Sequence, residues 1–495
     1  MSMRPFWTMA IAITLAAFWA APAARAQGDS SATKTDGAKT DGAKTDGEKA
    51  AEPPPKHGLT KADDEAKAVY ETVRKRIMTM AAVQVTSLRG QKGFGLTVGA
   101  SIAPMLETSL WGYRYSGDAK WLDKFVELMT ALEKSLVEDP DGHLGWYSAP
   151  AARVFGESWP AAWPNPAQQM AWQQAEARVI AACADFELTV RDDEELKDKY
   201  LATAKRWTQL AEEKLLPKWK ADYAEISQDR AIFAWPAHVF AEGKKEWEPF
   251  PGNPSTKAGL TLPHSATSEI ILRDLKLWQL RGDKTYRNRA AKLLRWQKSC
   301  LRFYRGGQPN ERGIYGGKPD KSVYFWNVWD PATDEDFRAE GGLAFGMYMG
   351  LEPLKYGRDI EAFVEAYHTA TVIDQDDLKR LIETQTKRMM TGDTEKPTWK
   401  DQRGEKRGML WAPLAEFDER LDYLVRTTFD PSTNEFGSKL RFLQEKPFWG
   451  DWKRRKQDKA EEITCNKTHE DFQEEMDELM KRHPPPDPRK PRVKS

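Results

Sequence analysis

Cysteine is scarce: Cys183, Cys300 and Cys465 are the only three in a chain of 495 residues. Their odd number and spacing exclude a disulfide scaffold, and the apolar helical surroundings of Cys183 and Cys300 predict buried thiols. Only seven histidines occur, and no His-x-x-x-His or paired-cysteine spacing stands out, so no transition-metal site and no cofactor is expected. Calcium held by loop carboxylates stays compatible with the sequence. Neither sign of charge prevails, with 75 Lys+Arg against 75 Asp+Glu, which removes the overall field that a nucleic-acid partner would require. Past the first 26 residues no long apolar run occurs, so no transmembrane segment is expected. Alternating strand patterns are nearly absent, apart from a possible short strand or two around 314–328. A glycine-rich stretch (Gly90, Gly93, Gly95, Gly99) lacks the preceding strand and the spacing of a phosphate loop.

What is present begins with an address. Arg4, an apolar run over residues 6–19 and Ala24-Arg25-Ala26 before Gln27 read as a secretory signal peptide over residues 1–26. Export to the periplasm or the exterior follows. Residues 27–58 repeat Lys-Thr-Asp-Gly and close on Pro53-Pro54-Pro55, a composition with almost no apolar surface to bury and therefore a disordered spacer. A helical domain is expected over 59–430. Residues 431–495 read as an extension with a charged, partly disordered tail that carries Lys453-Arg454-Arg455-Lys456 and His483-Pro484-Pro485-Pro486.

Within 59–430 two kinds of connection alternate. Tight turns sit at Ser116-Gly117-Asp118, near Asp192-Asp193, at Gly282-Asp283 and, more loosely, around Asp374-Gln375-Asp376-Asp377. Between them lie long segments rich in Pro, Gly and Trp: 139–165, 217–263, 303–333 and 391–412. Up-and-down helices joined in this way place all tight turns on one face and all long loops on the other. The predicted fold is mainly all-α, with five to six helical hairpins closing into an (α/α) toroid and long aromatic loops walling a cleft at one mouth.

Tyr115-Ser116-Gly117-Asp118-Ala119-Lys120-Trp121-Leu122, then Asp139-Pro140-Asp141-Gly142-His143-Leu144-Gly145-Trp146, and the echo Leu280-Arg281-Gly282-Asp283-Lys284-Thr285-Tyr286 carry a resemblance. At the level of architecture, over roughly residues 60–430, the chain resembles the six-hairpin, or (α/α)-toroid, carbohydrate-active proteins. The resemblance implies a carbohydrate polymer or oligosaccharide as partner, and a glycoside hydrolase or uronate polysaccharide lyase as activity. A non-catalytic glycan-binding or envelope scaffold protein on the same fold is the alternative.

Candidate site residues follow from the chemistry. Hydrolysis needs two carboxyls flanking the bond. The long loops and the first turns after them put Asp330 and Glu340 first, with Glu269, Glu416 and Asp418 behind. The stretch around them, 315–349, brings Tyr324, Phe325, Trp326 and Trp329 into an acidic run, read as a helix start capped by Asp330 or Thr333, with Pro331 first and Arg338 and Glu340 one turn in. Elimination on a uronate would instead use His264 or Tyr324 on the leaving oxygen and Arg338 on the carboxylate. Ser265 is expected to cap the helix after His264. Asn165, Pro166 and Gln168 read as the start of another. Trp159, Trp163, Trp235, Trp326, Trp329, His238 and Glu269 complete the candidate substrate-binding set. Each has a plainer reading: the rings as core, the acids as helix-end charges, the histidines as loop hydrogen-bonders.

Overall fold

The computed structural model describes residues 64–88, 95, 98–147, 168–170, 172–241, 243–249, 259–305, 318–337, 342–343, 353–391, 397–399, 410–428, 461–465 and 467–484. All of them belong to the unit Pro54–Ser495. The expected signal peptide and spacer, Trp159, Trp163, Arg338 and Glu340 lie outside the described residues.

The leading helix α1 (Asp64–Leu88) covers the first hairpin, α2 (Ala103–Ser116) and α3 (Lys120–Glu133). The second hairpin joins α4 (Gln173–Arg191) to a helical run centred on α5 (Ala202–Leu210), the third joins α6 (His264–Arg281) to α7 (Lys284–Cys300), and the fourth joins α8 (Pro353–His368) to α9 (Gln375–Glu383). A 3-10 segment, Ala412–Glu416, then leads into α10 (Glu419–Thr428), and α11 (His469–Arg482) lies against α7.

The tight turns form for the reasons their residues announce. Gly117 and Gly282 end α2 and α6 at φ of 69° and 72°, and each returns its N–H to a carbonyl of the last turn (Tyr113, Trp278). Only glycine takes that left-handed cap without a Cβ penalty. The aspartate that follows holds the first turn of the partner helix: Asp118, one residue ahead of the N-cap position Ala119, accepts from Lys120 N, and Asp283, itself the N-cap, accepts from Thr285 N. Asp193 does the same for Glu195 and Leu196, and Asp374 forms a reciprocal box with Asp377.

Packing sorts the helices into two sets. The first helices of the hairpins, α2, α4, α6 and α8, pack each on the next, while α3, α5, α7 and α9 lie behind them. Gly112 of α2 sits so close to Trp121 of α3 that a Cβ there would stand 2.4 Å from the indole ring. Within this unit one apolar cluster gathers α1–α5 around Trp121, Trp146 and Trp207, and a larger one runs from Trp172 through Trp326 to Trp411. The few strands are short. Arg302–Arg305 pairs antiparallel with Pro319–Phe325, where the sequence leaves room for a strand.

Three local expectations fail. The acidic run after Asp330 makes only a 3-10 turn, Asp334–Asp336, because the Asp336 carboxylate collects the N–H groups of Thr261, Ala332 and Thr333 and the Thr261 hydroxyl, fastening the segment to the chain just ahead of α6. α6 begins at His264 itself, after Pro263, so Ser265 is not its cap. Gln168 lies in a short strand paired with Ala241, and the helix it was expected to open starts five residues later.

Candidate active site

The aromatic segment turns inward. Tyr324, Trp326 and Trp329 are each 1 % exposed, Phe325 4 % and Trp235 7 %, so their rings are core rather than the walls of an open cleft. The indole N–H groups of Trp326 and Trp329 donate to Asp359 and to the Thr261 carbonyl, which satisfies their polar edges without solvent. Among the described members of the set His238 is the exposed one, on a strand paired with Pro249.

Asp330 and His264 do meet, but inside the protein. Nε2 of His264 lies 3.0 Å from Asp330, whose other oxygen accepts from Arg302 at 2.5 Å and Asn327 at 2.7 Å. Burial opposes the charge on Asp330, yet Arg302 and then His264 outweigh it and hold the carboxyl below its ordinary range. Cys300 completes a buried trio whose donor atoms lie within 4.8 Å of one another. Burial foremost, and then the Asp330 charge, push its thiol well up, and the carboxylate is already committed to a guanidinium, an amide and an imidazole. This is a buried ion-pair knot. Tyr324 belongs to a different one, with its hydroxyl on Asp377 at 3.0 Å beside Arg380 and His469, and Lys298 on the far oxygen of Asp377 at 2.6 Å. The structure therefore separates His264 from Tyr324. Glu416 is buried against His368 at 2.8 Å, and Asp418 caps α10 through Arg420 and Leu421 N.

Among the described residues of the expected set, Glu269 alone leads to the centre of the inner helices. Glu107 of α2, Arg178 of α4, Glu269 of α6 and Arg358 of α8 form a closed circuit of alternating charge. Arg178 clasps Glu107 at 3.0 and 2.5 Å and reaches Glu269 at 3.9 Å. Arg358 clasps Glu269 at 2.7 and 2.5 Å and returns to Glu107 at 3.2 Å. Seven residues further along each helix the signs reverse. Arg114 pairs with Asp185 at 2.8 Å, Asp185 with Lys276 at 3.8 Å, and Lys276 with Glu365 at 3.1 Å. Seven residues are about two turns, or roughly 10 Å, so the second layer repeats the first on the same helix faces. Pairing of near residues with near and far with far requires the four helices to run parallel. The first layer lies toward their N-terminal ends, which the long connections feed.

The two acids of the first layer differ in character. Burial works against the charge on Glu107, but Arg178 and Arg358 overcome it and lower its pKa. At Glu269 burial prevails over the same two arginines and raises the pKa. Both contact Nη2 of Arg358, so those two oxygens lie no more than about 6 Å apart, an upper bound that admits the carboxyl spacing of roughly 5–5.5 Å in retaining glycosidases. Glu107 keeps 24 % of its side chain exposed and Glu269 8 %. A signal for this lattice existed in the sequence: opposite charges seven apart in each of the four helices, with the order −+, +−, −+, +−.

No protein-family model and no curated relative matches the chain. Solved structures do. A GH76 α-mannanase of Bacteroides thetaiotaomicron is similar at 13 % identity with a TM-score of 0.40, over 76 % of this chain and 82 % of that one. The GH76A α-1,6-mannanase of Salegentibacter sp. gives 13 % and 0.35 over 69 % and 74 %. An unsaturated glucuronyl hydrolase of Bacillus sp. GL1, responsible for the degradation of glycosaminoglycan, gives 12 % and 0.34 over 76 % and 83 %. Likeness this loose transfers no residue roles, and what the chain does rests on its own geometry.

Proposed function

We propose that the chain is an exported carbohydrate-active enzyme that hydrolyses a glycosidic bond, with Glu269 as the acid and Glu107 as the base or nucleophile. One observation carries this reading: two carboxyls at the loop-fed end of the inner helices share one guanidinium and are pushed to opposite sides of their ordinary pKa. Glycoside hydrolysis needs that division, one carboxyl holding a proton for the leaving oxygen while the other stays ionised. Arg178 and Arg358 position the pair and are suited to sugar hydroxyls. The lyase reading is less supported, because His264 and Tyr324 sit in separate buried knots. Export rests on the segment 1–26, and N-terminal sequencing of the secreted protein should begin at Gln27.

The test is turnover by the mature protein on neutral and uronic-acid polysaccharides, following new reducing ends and unsaturated-uronate absorbance together. Reducing ends alone are expected. Glu107→Gln and Glu269→Gln should each lower kcat by about 100-fold or more while glycan affinity persists. Parent-like turnover in both variants would remove these residues from the chemistry.

One observation favours a second reading. All four first-layer charges are paired, as an interhelical fastening would also need, so a non-catalytic glycan-binding protein would bind the same panel, release nothing, and lose only stability in the two variants.

A further inference from the structure

The tight turn between α8 and α9 is the strained one. Among the described residues Ala370 and Val372 alone, glycines aside, hold a positive φ, of 52° and 65°. For a buried, β-branched valine the left-handed region is a genuine outlier. The same two residues present the backbone groups that bind the C-terminal segment. Val372 N donates to the Ile463 carbonyl at 2.6 Å, and the Ala370 carbonyl accepts from Ile463 N at 3.0 Å, which makes a parallel bridge of Thr371 and Ile463. Arg287 of α7 clasps both partners, with Nη1 on the Glu461 carbonyl at 2.8 Å and Nη2 on the Thr369 and Ala370 carbonyls at 2.9 Å. Arg295, about two turns along α7, holds the Thr464 carbonyl at 2.9 Å.

Beyond this clasp α11 is docked lightly. His469 at its head joins the knot of Tyr324 and Asp377. Met476, Leu479 and Met480 pack with Trp296 and Cys300 of α7 in a small cluster apart from the two main ones, and a groove of about 610 Å³ remains between the helices. Arg230 lies 5.6 Å over the Phe472 ring and gives Nη2 to Glu475 at 2.5 Å, while its buried Nε has no acceptor, a cost that solvent would remove once α11 lifts. The pairs Lys321–Glu470 and Arg482–Asp334 are more than half exposed on both sides and add little.

We propose that residues 461–484 form a releasable strap: docked, they hold the α8–α9 turn in its left-handed shape, and when they lift the turn relaxes. Backbone strain persists only where surrounding contacts over-determine it, and here those contacts come from Ile463 and Arg287. The turn works against the strap, so the docked and lifted states lie close in free energy. A segment with its own small apolar cluster then opens ahead of the rest of the fold. The fourth hairpin, whose α8 carries Arg358, is thereby held at its far end by a part that can let go. The device does not depend on whether the chain hydrolyses a glycan.

Native-state hydrogen exchange on the full mature chain, resolved to single amides, tests it. The amides of Val372, Ile463 and α11 are expected to share one opening constant, at least about 100-fold larger than that of the central amides of α6 and α7. Ala370→Gly removes a Cβ from a left-handed position and should make that shared opening about five- to tenfold rarer, with α6 unchanged. Ile463→Pro deletes the N–H that the Ala370 carbonyl accepts and should make it about tenfold or more frequent. Exchange of the strap only together with α6 and α7 would overturn the proposal. So would an opening that Ala370→Gly leaves unchanged or raises, or one that a folded Ile463→Pro protein leaves unchanged. Should Ile463→Pro not fold, the parent and Ala370→Gly still separate the two outcomes.

Discussion

Arg358→Met is the most informative single change to the axial lattice. The guanidinium serves three carboxylates: Glu269 through two contacts, Glu361 at 2.6 Å and Glu107 at 3.2 Å. Methionine fills much of the volume but leaves these acids with Arg178 as the remaining first-layer cation, firmly on Glu107 and only 3.9 Å from Glu269. Breaking a buried pair by removing one partner costs about 3–5 kcal/mol, most of it the uncompensated charge left behind. The pKa of Glu269, already raised by burial, rises further when its main cation is gone. Between the unfolded carboxyl pKa of about 4.3 and the higher folded value, the native state then binds more protons than the unfolded state. Stability in that window falls as pH rises and recovers as pH drops. Urea denaturation followed by tryptophan fluorescence should therefore show the full loss at pH 7.5 and a smaller one at pH 5. Arg358→Met/Glu269→Gln should recover a large part of the loss at pH 7.5, because the unpaired charge is absent. A loss under about 1 kcal/mol that does not change with pH would refute the reasoning and mean that water already screens these acids.

Other consequences are simpler to read. Asp330→Asn strands the Arg302 cation inside the protein, so a loss of about 3 kcal/mol or more is expected at pH 7. Because the folded pKa of Asp330 is lowered, its contribution is present above the unfolded value of about 3.9 and disappears as pH falls through the folded one, so parent and variant should converge in strong acid. Burial holds Asp359 up to about 6, which makes folding less favourable as pH rises from about 4 to 6, and Asp359→Asn should flatten that slope in a denaturation series. Gly112→Ala drives a Cβ to within 2.4 Å of the Trp121 ring, and the forced shift between α2 and α3 should lower stability by about 1–3 kcal/mol in the same assay. Of the three free thiols, Cys183 and Cys300 are buried with raised pKa values, so a thiol reagent should titrate Cys465 alone until denaturant is added.

The Gly-Asp turns were fully legible in the sequence because their cause is local. A left-handed cap demands glycine, a helix start rewards aspartate, and both constraints act within four residues at Gly117-Asp118 and Gly282-Asp283. The candidate site was legible only in part. Asp330 looked like a helix cap because Pro331 and three acids follow it, but its neighbours in space, His264 and Arg302, lie 66 and 28 residues away. Aromatic residues in an irregular segment give no sign of which way they face. In the fold Tyr324, Trp326 and Trp329 face inward, since the segment lies between helices that bury their rings.

The sequence by itself determined the helical hairpins, the strand near 319–325 and the buried state of two cysteines, because periodicity, caps and composition are properties of neighbouring residues. Only the tertiary structure decided which charges meet. Glu107, Arg178, Glu269 and Arg358 are spread over some 250 positions and come together because four parallel helices turn the same face toward one another. A side chain's protonation and partners depend on that enclosure and on how far water is excluded, and neither is written in the order of residues along the chain.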